Sequence, residues 1–97
     1  VKPHVFHPEA GEEYTQAVEY YAAITPELGR RFNDEIDRLI QEVCHQPGRF
    51  LRFSPPARRA LARKFPYSVV YLDEPDRVWI VAVAHAKRRP GYWRQRL

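Results

Sequence analysis

Residues 25 to 27, Thr25-Pro26-Glu27, cut a helical pattern in two without leaving room for a loop. A threonine hydroxyl can cap a helix, a proline fits the first helical position because no N–H is needed there, and a glutamate suits the positive end of the helix dipole. Before this joint Tyr14, Ala17, Val18, Tyr21 and Ile24 recur at three- and four-residue spacing. After it Leu28, Phe32, Ile36, Leu39, Ile40, Val43 and Cys44 mark a second apolar stripe that runs to about Gln46. Two amphipathic helices joined so tightly bury their stripes together only by folding back as an antiparallel hairpin. Pro8 suits the first turn of the first helix, Glu9, Glu12 and Glu13 crowd its early turns, and Pro47-Gly48 ends the second. On the outer face of the second helix the i,i+4 spacing predicts pairs between Arg30 and Asp34 and between Asp34 and Arg38.

Beyond the hairpin the period changes from helical to extended. Residues 47–57, PGRFLRFSPPA, read as a proline-punctuated loop. Arg58 to Lys64 alternates weakly, Phe65 to Leu72 is β-branched and aromatic, and a polar turn through Pro75 leads to Arg77–His85, RVWIVAVAH. That last segment is apolar on both faces, which places it inside the sheet with one face under the helices. A short strand at residues 4 to 6 precedes the hairpin. Short joints between consecutive strands favour an antiparallel meander. The expected architecture is α+β in the order β-α-α-β-β-β, a helical hairpin on one antiparallel sheet, forming a single domain over residues 1–97.

Several function classes drop out. No apolar run reaches the roughly 18 residues of a membrane helix, and the opening VKPHVFHPEA lacks a signal-type segment. A lone cysteine, Cys44, forms no internal disulfide and lies on the core stripe as an apolar filler, so a reducing cytoplasm is the expected location. His4, His7, His45 and His85 have no ligand spacing for a metal, four scattered glycines make no phosphate loop, and no cofactor is expected. The acidic side chains read as solvated helix faces.

Charge is what remains. Residues 1–48 carry four basic against nine acidic side chains, net −5, whereas residues 49–97 carry twelve against three, net +9. Such asymmetry points to an anionic partner or to a basic solvated face. The basic half ends in HAKRRPGYWRQRL, which reads as a short tail leaving the sheet edge. Lys87, Arg88, Arg89, Arg94 and Arg96 suit phosphates or carboxylates. Trp93 reads as an anchor packed on the sheet, and Tyr92 serves equally as an anchor or as a stacking platform for bases. His85 has the chemistry of a general acid or base, though a single strand-end histidine is more often structural.

Four stretches, FHPEAGEEYTQAVEYY, PELGRRFNDEIDRLIQEV, ARKFPYSVVY and VAVAHAKRRPGYWRQR, cover nearly the whole chain. In content and order they resemble the RelE/ParE toxin superfamily of type II toxin–antitoxin systems, and most of all its ParE-like, plasmid-stabilisation branch. The resemblance implies a bacterial toxin that arrests growth by inhibiting DNA gyrase without chemistry of its own, the gyrase being trapped on cleaved DNA. Arg88, Arg89, Tyr92, Trp93, Arg94 and Arg96 would face that target. It also implies neutralisation by a small ParD-like antitoxin, for which Tyr20, Arg58, Arg59, Arg63 and Lys64 are the candidate contacts. The RelE-like alternative is a ribosome-dependent mRNA endonuclease, whose chemistry would fall to Arg63, Lys64, His85, Arg88, Arg89 and Tyr92. Against it, Ser68 follows Tyr67 where many endonuclease members carry arginine. A non-toxic binding module of the same fold is the third alternative.

Overall fold

The computed structural model describes residues 1–97 and contains five strands rather than four. They are β1 (His4–Phe6), β2 (Leu51–Ser54), β3 (Ala57–Leu61), β4 (Tyr67–Asp73) and β5 (Val78–His85), with α1 (Pro8–Ile24) and α2 (Pro26–His45) between β1 and β2. One turn of 3-10 helix, Arg94–Arg96, closes the chain. The sheet order is β1-β5-β4-β3-β2. β2 through β5 form the expected antiparallel meander, but β1 runs parallel to β5, so the sheet is mixed. No hairpin ties β1 to β5; its direction is set by the bonds from Val78 N to Pro3 O (2.9 Å) and from His7 N to Ile80 O (2.8 Å).

The expected loop at 47–57 contains β2. Pro55 and Pro56 occupy the tight turn between β2 and β3, outside the ladder, so neither removes a needed donor. Edge position explains why the segment lacks a clear alternation: Leu51 and Arg52 are exposed and little burial is asked of it. The neighbouring strand begins earlier than expected, at Ala57, and stops at Leu61, because Lys64 turns the chain at φ +67°.

The joint between the helices behaves as expected. Thr25 Oγ1 accepts from Leu28 N at 3.0 Å, and His7 Nδ1 accepts from Glu9 N at 3.0 Å ahead of Pro8. Gly29 lets the helices close on each other, since a Cβ there would lie 2.6 Å from Ala22 Cβ. The stripe of α2 is buried from Phe32 to Cys44, whereas α1 buries only Ala10 and Ala17 fully and its Ile24 is 56% exposed. Ile24 thus falls outside the core that its spacing predicts, at the last position of α1 before the joint. The ion pairs on α2 differ from the i,i+4 expectation. Arg30 and Arg31 both pair with Glu27, and Arg38 pairs with Glu35 at 2.8 Å and with Glu42, since glutamate reaches where the shorter Asp34 does not.

Beneath the helices Phe32 sits among four aromatic rings, with centroids at 4.9 Å (Tyr67), 5.0 Å (Tyr21), 5.2 Å (Phe65) and 6.4 Å (Tyr14). Tyr71, fully buried, donates its hydroxyl to Pro47 O at 2.6 Å and ties the end of the hairpin to the sheet. Burial pushes this phenol up to about 12 from 10.0. The folded chain therefore holds the proton more tightly than the unfolded one. That stability is fully present below pH 10 and lost as pH rises toward 12. We expect Tyr71→Phe to cost about 1 kcal/mol at neutral pH and to flatten the alkaline fall in denaturant midpoint. An alkaline fall unchanged from the parent's would show that Tyr71 is not its source.

Candidate interaction surface

On the face of the sheet away from the helices, the C-terminal residues provide the cover. A bulge makes this possible. Val70 pairs with Ala82 and Tyr71 with Ile80, which leaves Val81 as an extra residue in β5. Val81 and Ala82 then both pack on the far face, beside Ala57, Val70 and Ala84. Three alanines leave the depth into which Tyr92 and Trp93 settle, 9% and 3% exposed, with Phe53 against the indole at 5.7 Å. Residues 86–97 are therefore a strap, not a free tail. Its turns are fixed by Ala86 N to Pro66 O (2.8 Å), by Lys87 N to His85 Nδ1 (3.0 Å) and by Gly91 at φ +75°.

The second anchor of the strap is polar. β1 ends opposite Ile80, so the edge of β5 beyond that residue has no strand beside it. Glu13 of α1 fills the gap: its Oε1 accepts from Val83 N (3.0 Å) and Arg96 Nη1 (3.1 Å). Its Oε2 accepts from Tyr92 Oη (2.8 Å) and Arg96 Nη2 (3.0 Å), while Arg96 Nη1 also donates to Val81 O (3.1 Å). The Arg96 side chain is 6% exposed. Arg96 therefore faces inward, contrary to its expected place on an outward surface, because the orphaned edge of β5 and a buried carboxylate claim its donors. Burial, reinforced by the bond to Glu13, pushes the Tyr92 phenol well above its ordinary range. Of the two roles open to Tyr92, anchoring is the one its placement supports.

What the strap shows to solvent is cationic. Lys87, Arg89 and Arg94 are exposed and form no ion pair. The Arg88 side chain is 53% exposed, stacks over the Tyr92 ring at 3.8 Å and stands 3.8 Å from Glu13 Oε2. His85 and Arg88 form a ridge between two notches. One, about 200 Å³, opens toward Phe53, Arg59 and Ser68; the other, about 300 Å³, opens toward Gln16, Tyr20 and Tyr67.

The residues suggested for RNA chemistry separate. His85, Arg88, Arg89 and Tyr92 meet at the strap, but Arg63 and Lys64 line a different groove of about 730 Å³, with Leu28, Arg31 and Phe65 between α2 and the turn after β3. The suggested antitoxin contacts divide as well. Tyr20 is 64% exposed, whereas Arg58 is spent on the carbonyls of Gly48 and Phe50, and Arg59 lies over the Phe53 ring at 4.6 Å. No three His, Cys, Asp or Glu side chains converge as metal ligands, and no helix is long and apolar enough to cross a membrane.

Glu13 is the residue that sequence reasoning missed. Its signal was its spacing: it lies three residues after Ala10 and four before Ala17, the two fully buried positions of α1.

The profile of one protein family, described as the ParE toxin of the type II toxin–antitoxin system parDE, matches residues 5–90. No curated protein sequence matches the chain. Among solved structures, the chromosomal ParDE toxin–antitoxin system from P. aeruginosa has a similar fold, with TM-score 0.76 at 11% identity. The alignment covers 89% of this chain and 97% of that one.

Proposed function

This chain belongs to the ParE toxin family of type II toxin–antitoxin systems, and from that premise we propose that it inhibits DNA gyrase by binding alone until a cognate antitoxin covers it. The observation that carries the reading is the strap: Lys87, Arg88, Arg89 and Arg94 stand on a backbone fixed by two buried aromatics and an internal ion pair. A cationic edge on a fixed backbone suits a protein that wedges against an acidic surface or DNA phosphates, because the turns that carry the cations are already ordered before contact. The same placement weighs against RNA cleavage. Tyr92, the phenol nearest the arginines, is buried with its proton held by Glu13, and Arg63 and Lys64 sit in another groove. Activating a 2′-hydroxyl needs a free base within hydrogen-bond reach of the same pocket; His85 lies there, but its Nδ1 lone pair already accepts from Lys87 N at 3.0 Å.

For the antitoxin, the groove beside α2 sets Arg31, Arg38, Arg63 and Lys64 against Asp34 and Glu35, the latter already paired with Arg38. This cationic excess favours an acidic, ParD-like segment that orders on binding. Tyr20 offers an aromatic contact. Expression without antitoxin, with translated transcripts probed in the same cells, tests the reading. Growth arrest with intact transcripts is the expected result. Cleavage on translating ribosomes would replace it with the endonuclease, and the absence of arrest with a non-toxic binding module.

A further inference from the structure

We propose that Glu13 is the positioning residue of the strap: one carboxylate on α1 that sets where the exposed arginines of residues 88–94 stand. The inference rests on the reading of the strap as the target surface. Two kinds of contact hold the strap down, and they do different things. Tyr92 and Trp93 adhere to the alanine-lined face, but apolar contact has no direction and tolerates sliding. Glu13 supplies direction. Its side chain is 14% exposed, and its four bonds join α1 to β5 and to two separate points of the strap, Tyr92 and Arg96.

No other acid can stand in. Glu9 reaches only to 3.6 Å from Arg96 Nε, and that nitrogen has no hydrogen-bond partner. Charge-assisted bonds of this geometry tolerate little displacement, so the carboxylate fixes both register and rotation. The consequence reaches Arg88, whose guanidinium rests on the Tyr92 ring and faces Glu13 Oε2. Arg89 and Gly91 follow in the next turn, which Tyr92 N closes on Arg89 O at 3.2 Å. Glu13 therefore acts through the strap and does not meet the target itself.

The test compares Glu13→Gln, Glu13→Asp and Tyr92→Phe with the parent in the full chain, by hydrogen exchange and by supercoiling inhibition. The reporting amides are Arg94, Arg96 and Leu97, which bond to Gly91 O, Trp93 O and Arg94 O. Glu13→Gln keeps the shape but sets an NH2 group against donors. We expect strap exchange to rise at least about tenfold, with the amides of β4 unchanged, and inhibition to weaken by a similar factor. Glu13→Asp, which keeps the charge, restores part of both effects, and Tyr92→Phe gives a smaller change in the same direction.

Strap protection equal to the parent's in Glu13→Gln overturns the proposal. So does a released strap with inhibition intact. Should Glu13→Gln fail to fold, Tyr92→Phe and Arg96→Lys make the same comparison from the strap side. A parent that leaves gyrase untouched sinks the gyrase reading instead. Strap exchange then still decides whether Glu13 anchors, with growth arrest as the functional readout.

Discussion

Replacing Arg88 by glutamine and Arg89 by glutamate together is expected to weaken target inhibition by about 100-fold or more while leaving the fold intact. The size follows from where these side chains stand. Arg89 forms no ion pair, and Arg88 has only a half-exposed one at 3.8 Å, so their removal costs the fold little. Glutamine at 88 keeps an aliphatic stem over the Tyr92 ring and avoids setting a second carboxylate against Glu13. At an anionic target, losing one cation and reversing another removes several kcal/mol of steering and contact, on the order of 2–5 kcal/mol for each desolvated pair. If the two arginines meet phosphates, the salt dependence should also fall, by about one unit of slope for each phosphate no longer neutralised. The measurement is supercoiling inhibition at several salt concentrations, with the thermal midpoint as control. Undiminished inhibition would remove the strap from the target surface.

The largest expected loss of stability comes from Phe32→Ala, about 3–5 kcal/mol. The ring is fully buried and touches aromatics from α1, from the turn before β4 and from β4 itself, so its removal opens a cavity that no neighbour can fill. Domains of this size have about 5–15 kcal/mol in total, which leaves the variant near its threshold. Ile24→Ala is the matched control: the isoleucine is 56% exposed, and its truncation should fall within about 0.5 kcal/mol of the parent. Denaturant unfolding of both variants checks the pair. Equal losses would mean that the aromatic cluster is not the centre of the core.

The helical half was legible because its physics is local. Caps at Thr25, prolines at 8 and 26, and an unbroken stripe from Phe32 to Cys44 need no distant partner to be read. β2 and the parallel pairing of β1 were not legible, since an edge strand buries little and pairing direction is a property of the whole sheet. At the site, the cations were visible as composition and Trp93 as an anchor. Arg96 and Glu13 were not: each looks like a solvated charge until the chain folds and brings residues 83 apart into contact. The end of β1 opposite Ile80 leaves room for that contact, and nothing in the sequence marks where β1 stops pairing or which residue of VWIVAVAH is the extra one. Surface charge could be read from the sequence, but which charges are spent inside the fold could not.

The most direct test of the central claim is to incubate the purified chain with DNA gyrase and supercoiled plasmid, denature the protein, and look for linear DNA. Accumulation of cleaved plasmid, suppressed by antitoxin, is the predicted result. Gyrase that cycles normally at every concentration of the chain would contradict the account.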